Sequence, residues 1–475
     1  MCEVFVVDSF LTVIRGVYID PSWFAWNVSR GLDDPSLKVF MRATVFVSEY
    51  LVYIPAIVTF LRHHTRLHGV NSWEASIAMT AILIQPATIL IDHGHFQYNT
   101  VMLGLATASL SSMLAGRPLW SCVFFVGALG FKQMALFYAP AVFAYLLGIC
   151  VTPRLDIGRL ALISVVTLVS FAVLFAPLVV GTLIDYVRGI DAAAFPTPPL
   201  VKSLPIELYE YSWYYQPIVQ LAQSIHRIFP FARGLFEDKV ANVWCALHTF
   251  HKLNRYSGTL LQRAALVATL GAIAPPCLIL FLKPRKGALL PAFAATAWGF
   301  FLCSFQVHEK NVLLPLLPMT LMLGSSGGML PETRAWVGYA NLLGCWTMFP
   351  LLARDGLRIP YIVLSLVWQL FLGLPPASLG IYTASGAGSV GWPVKLAHLG
   401  SYVVMFGWHV VEYFVPPPAD KPDLWVVLNV LVGAGGFGLC YLWCLWSLVK
   451  QSGILEQKQG GVAIDAKGKE KAKTL

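Results

Sequence analysis

Apolar residues recur in long blocks along the whole chain, separated by short polar breaks. A bilayer core is crossed by about 20 apolar residues in a helix. On that measure candidate spans lie near residues 42–61, 74–91, 99–115, 118–131, 134–150, 160–184, 261–282, 288–306, 311–325, 335–352, 358–375, 397–416 and 423–449. The pattern predicts an all-α polytopic membrane protein with roughly thirteen helices. Pro86, Pro140, Pro177, Pro275, Pro276, Pro315 and Pro318 fall inside these blocks, so kinks are expected where neighbouring helices satisfy the freed carbonyls.

The breaks sort into two kinds. Alternate loops carry Arg62 and Arg66, then Arg117, then Arg154 and Arg159, then Lys283, Arg285 and Lys286, and finally the tail from Lys450 to Lys473. Basic loops stay cytoplasmic. The other set holds residues 92–98, a long segment over 185–260, residues 308–310 and the 416–423 loop, which mix charges with aromatics and should face the opposite compartment. The chain therefore divides into a far-side N-terminal region (1–41), helices over 42–184, a loop over 185–260 with an interfacial helix, helices over 261–449 and a cytoplasmic Lys-rich tail over 450–475. Residues 1–41 contain no helix able to carry them across, so one further helix is expected upstream. The sequon at Asn27, Val28 and Ser29 agrees with a lumenal position for that region.

Composition bears out the class. Hydrophobic residues make up 57% of the 475 and charged residues 12%, where a soluble domain has about 25% charged. Mean hydropathy is +0.67, which excludes a secreted or cytosolic enzyme. The net charge of +9 is carried by loops and tail, a topology signal rather than a nucleic-acid surface. The nine cysteines lie mostly inside apolar runs with no C-x-x-C pair, so neither a zinc site nor a disulfide framework is expected.

Ionisable groups at membrane depth mark function by default. Three clusters stand out. Residues 92–99 read Asp-His-Gly-His-Phe-Gln-Tyr-Asn; His93 and His95 suit metal ligation or hydrogen bonds to sugar or phosphate, and Phe96 and Tyr98 offer faces to a sugar ring. A tight turn satisfying its own backbone is the structural alternative. Residues 306–310 read Gln-Val-His-Glu-Lys, where His308 and Lys310 suit a lipid phosphate and Glu309 would hold one of them; an interfacial Glu-Lys cap is the alternative. In the third cluster, around Arg227 and Arg233, a helix starting after Gly234 would put Phe236, Val240, Val243 and Leu247 on one face, with Glu237 and Asp238 in its first turn. Such a helix would lie at the membrane interface, and flanking arginines are common there without any pyrophosphate to bind. Lys132 also interrupts an apolar run, either snorkelling or lining the same cavity.

Taken together, the stretches DHGHFQYN at 92–99, FPFARGLFEDKVANVWC at 229–245 and VHEK at 307–310 resemble the endoplasmic-reticulum glucosyltransferases that use dolichyl phosphate glucose to extend the lipid-linked oligosaccharide of N-glycosylation. The first and last are shared by both glucosyltransferases of that family, and the middle one is similar to the branch that adds the first glucose. The likeness runs over about residues 17–330. It implies a C-type glycosyltransferase fold of about fourteen helices in the full-length family. It further implies inverting transfer onto a mannose arm of Man9GlcNAc2 diphosphodolichol in an α-1,3 linkage, and an endoplasmic-reticulum protein whose active side is lumenal. The Lys471 and Lys473 pair near the C-terminus resembles a retrieval signal for that compartment.

On this resemblance His308, Lys310 and Arg233 would bind the donor phosphate. Asp92, His93, His95, Gln97, Asn99, Glu237 and Asp238 would orient sugar and acceptor. No metal or cofactor is required, because a lipid phosphate leaves readily. The family's general base is an aspartate in the first lumenal loop, ahead of residue 17; Asp8, the sole Asp in residues 1–16, lacks the surrounding motif. An inactive form of the chain as written, or a lipid or solute transporter with broken spans, are the other readings.

Overall fold

The computed structural model describes residues 16–24, 32–189, 199–202, 212–228 and 239–455, and the described residues contain helices and turns with no strand. Among the described residues six helices are long and apolar enough to cross a membrane: Pro35–Arg66, Ser72–Phe96, Ile157–Val187, Gly258–Leu282, Lys286–Cys303 and Leu424–Ser452. Shorter apolar helices, among them Thr100–Leu114, Pro118–Phe131, Ala139–Val151 and Arg358–Leu372, fill the space between them.

Boundaries moved where caps decide them. The first helix starts at Pro35 rather than 42, because Asp34 accepts the Leu37 amide at 3.1 Å and Pro35 is already set for the first turn. Pro86 and Pro140 do not kink their helices; each stands in the first turn of a new one, where the missing N–H costs nothing. Pro177, Pro275, Pro276 and Pro318 lie within helices.

The bundle is layered around the Leu289–Cys303 helix, which is buried at every position except Phe300 and Cys303. At the other extreme, Ile157–Val187 buries only Ile163 and Thr182. A helix that apolar and that exposed belongs against hydrocarbon. Inside the bundle, polar side chains tie helices together: Gln85 Nε2 donates to Asn341 Oδ1 at 2.6 Å and to Thr320 Oγ1 at 3.2 Å, and Asn341 Nδ2 donates to Thr320 at 3.0 Å. Small residues allow close approach. A Cβ on Gly104 would sit 2.8 Å from the Cα of Tyr53, so Thr100–Leu114 packs backbone to backbone on the first helix.

Candidate active site at the polar helix breaks

Residues 92–96 form no loop. The Pro86–Ile89 helix widens into a π-helical turn over Leu90–Phe96, and Phe96 takes a positive φ of 69°, a left-handed conformation that strains an aromatic residue. Asp92 explains the turn. Its carboxylate is fully buried and accepts the Asn99 amide at 2.9 Å, the Asn99 side chain at 2.7 Å and the Thr100 amide at 2.6 Å. The buried N-terminus of Thr100–Leu114 thus finds its acceptor seven and eight residues back along the chain.

Lys132 completes this knot. The Pro118–Phe131 helix ends in extended backbone at Lys132, whose ammonium is 4% exposed and donates to Asn99 Oδ1 at 2.7 Å and Gln97 Oε1 at 3.2 Å. It does not snorkel. Asp92 and Asn99 are buried and shape the turn, while His93, His95, Gln97 and Tyr98 are partly accessible.

His93 and His95 each meet a carboxylate from a distant element. His93 Nε2 lies 2.7 Å from Glu49 Oε2, and His95 Nδ1 lies 2.5 Å from Asp355 Oδ2. Both imidazoles remain partly accessible, with side chains 33% and 20% exposed. Each carboxylate fixes the orientation of the ring that faces it. Arg42, from the same helix as Glu49, stands over the Phe96 ring at 5.9 Å. Glu49 could have been found in the sequence, as an acid within an apolar block; Asp355, beside Gly356, reads only as a turn.

The segment after Lys132 reaches the second break. Phe137 stacks on Phe300 at 5.2 Å, and the Tyr138 hydroxyl donates to the Leu314 carbonyl at 2.6 Å. There the chain leaves Leu289–Cys303, passes through a half-buried stretch at 303–306 and turns at His308, whose carbonyl accepts the Asn311 amide at 3.0 Å. His308, Glu309 and Lys310 are all half-buried. Asn311 is buried, and its Oδ1 meets no donor among the described residues, an arrangement that is costly away from water.

The third cluster differs from expectation. Arg233, Phe236, Glu237 and Asp238 lie outside the described residues, and the helix begins only at Val243, where Asn242 Oδ1 accepts the Cys245 amide at 2.8 Å. Of the expected face, Phe236 lies outside the described residues, Val240 precedes the helix and is buried, and Val243 and Leu247 are both exposed. The cap at Asn242 sets that phase. Trp244 Nε1 donates to the Cys303 carbonyl at 2.6 Å and Lys239 pairs with Asp423, so this loop sits against both the second break and the 416–423 loop. Among the described residues no group of His, Cys, Asp or Glu has the arrangement of a metal site.

Three polar breaks gathered at one end of an apolar bundle, with paired imidazoles beside a lysine and partly open side chains, suit recognition of a sugar phosphate. Comparison with known proteins gives the chemistry its class. The profile of the ALG6, ALG8 glycosyltransferase family matches residues 6–192 and 204–446. The probable dolichyl pyrophosphate Man9GlcNAc2 alpha-1,3-glucosyltransferase of Schizosaccharomyces pombe is 39% identical over 450 residues, covering 94% of this chain and 79% of that protein. The Saccharomyces cerevisiae dolichyl pyrophosphate Man9GlcNAc2 alpha-1,3-glucosyltransferase is 37% identical over 464 residues, 93% of this chain and 78% of its own length. A probable enzyme of the same name from Drosophila melanogaster is 32% identical over 442 residues, 92% and 82% of the two chains. The transporter reading gives way to these matches: the chain belongs to the ALG6, ALG8 glycosyltransferase family, and it is a glucosyltransferase.

Proposed function

We propose that the chain transfers glucose from dolichyl phosphate glucose to Man9GlcNAc2 diphosphodolichol, forming an α-1,3 linkage with inversion on the lumenal face of the endoplasmic-reticulum membrane. The acceptor hydroxyl attacks the sugar carbon as the bond to the lipid phosphate breaks, and its proton passes to a carboxylate base, which the resemblance implies is an aspartate of the first lumenal loop. The phosphate gathers charge as it leaves and needs preorganised donors. His308 and Lys310 serve it, with Arg233 assisting. His93, His95 and Gln97 orient the sugars, and Glu237 and Asp238 would add acceptor contacts.

The observation that carries this reading is the gathering of the 92–99 turn, Lys132 and the 303–311 break through the Phe137 and Tyr138 contacts. The test is single-turnover transfer with both lipids supplied. His308→Ala should lower the rate about thirty- to thousand-fold, the loss expected of one preorganised donor, with protein level little changed. Turnover within about threefold of the parent together with collapsed expression would make His308 a structural cap and send the phosphate to the His93 and His95 side.

A further inference from the structure

At the end of the bundle away from these breaks, a cleft of about 580 Å³ opens between the starts of the Pro118–Phe131 and Ile157–Val187 helices. Arg117 and Arg159 line it, with Trp120, Leu119 and Leu162 as its apolar walls. Arg159 is held in place: its guanidinium donates to the Ile149 carbonyl at 2.9 Å and meets Asp156 at 3.4 Å. Arg117 is exposed and makes no ion pair among the described residues. A third cation stands at the rim, since Lys286 Nζ lies 3.6 Å from the point a Cβ on Gly116 would occupy. Three cations against the one carboxylate of Asp156 leave the cleft positive.

The cleft continues onto a surface that hydrocarbon must cover. Leu162, Val165 and Val169, spaced along one face of Ile157–Val187, are 51%, 54% and 55% exposed, and Trp120 is 56% exposed at the mouth, as an interfacial aromatic would be. A positive pocket lined by two guanidiniums above an apolar stripe matches one ligand chemistry, a phosphate headgroup carrying acyl chains.

We propose that this cleft binds the headgroup of an anionic phospholipid, with an acyl chain lying along the Leu162, Val165 and Val169 stripe. The leaflet is cytoplasmic if the basic loops are, and only that assignment depends on the topology proposed for the enzyme; the lipid preference does not. The full chain, purified in detergent, would be titrated with dioleoylphosphatidylserine or dioleoylphosphatidylcholine and bound lipid counted by native mass spectrometry. Phosphatidylserine should be retained preferentially, and Arg117→Gln should weaken it about fivefold, the contribution expected of one arginine near an anionic headgroup. Adding Arg159→Gln should weaken it further, but Arg159 also braces the Ile149 turn, so Arg117→Gln decides, with an unchanged melting midpoint showing that it folds. Equal retention of the two lipids, or an unaltered preference in Arg117→Gln, overturns the proposal. So does full displacement of phosphatidylserine by equimolar glycerol 3-phosphate, which would make the cleft a site for soluble phosphates.

Discussion

Asp92 shows how burial changes what a side chain does. Its carboxylate accepts three donors in a fully buried setting, and Lys132 reaches it through Asn99. Removing it leaves two buried backbone amides and the Asn99 side-chain amide without their acceptor, and each buried donor left unsatisfied costs on the order of 1–3 kcal/mol. Asp92→Ala should therefore lower the melting midpoint of the detergent-purified protein strongly, and activity should fall because the fold does. His93→Ala removes a half-open ring and should leave that midpoint nearly unchanged while slowing transfer. A stable Asp92→Ala protein with no turnover would instead place Asp92 on the substrate. The sequence marked this motif by its density of polar groups at membrane depth, but it could not divide the motif into structural and accessible members. That division depends on Lys132, 33 residues away from Asn99, and on Asp355, 260 residues away from His95. No local pattern carries either distance.

At the level of elements, the site depends on how closely the first helix is held to Thr100–Leu114. Glu49 belongs to a π-helical turn over Glu49–Tyr53, whose last two residues, Val52 and Tyr53, present the backbone that a Cβ on Gly104 would meet. Any side chain at 104 meets backbone there, which cannot rotate away. Gly104→Val should cost about 1–3 kcal/mol by overpacking and should also draw Glu49 away from His93, so transfer should fall by more than Gly104→Ala brings about. Melting and single-turnover rates measured on both variants check this; a Gly104→Val enzyme of parental rate and stability would show that the approach is not needed. Such contacts explain which elements were legible. Apolar blocks were read correctly as helices because the membrane permits nothing else for them. The start at Pro35 and the start at Val243 depended on single capping residues, Asp34 and Asn242. Hydrophobicity does not report caps.

For the molecule as a whole, the two kinds of loop separate physically. At the polar end His95 meets Asp355, Trp244 meets the carbonyl of Cys303 and Lys239 meets Asp423. At the basic end Lys450 lies 3.6 Å from Glu332, Trp443 donates to the same carboxylate at 3.2 Å, and His64 meets Ser325 at 2.9 Å. On the proposed topology, charge sorting across a bilayer would put the basic end in the cytoplasm and the proposed glucosyl-transfer site in the lumen. Lys286 and Asn254 are exposed and belong to opposite ends. In intact microsomes a cysteine replacing Lys286 should react at once with a membrane-impermeant maleimide, whereas one replacing Asn254 should react only after the membrane is opened. Most native cysteines are buried, so the parent chain gives a low background. The reverse pattern would turn the molecule over. The His93, His95 and His308 breaks would then open to the cytoplasm, the proposed phospholipid cleft would lie in the lumenal leaflet, and glucose transfer would have to occur before the lipid-linked oligosaccharide crosses the membrane.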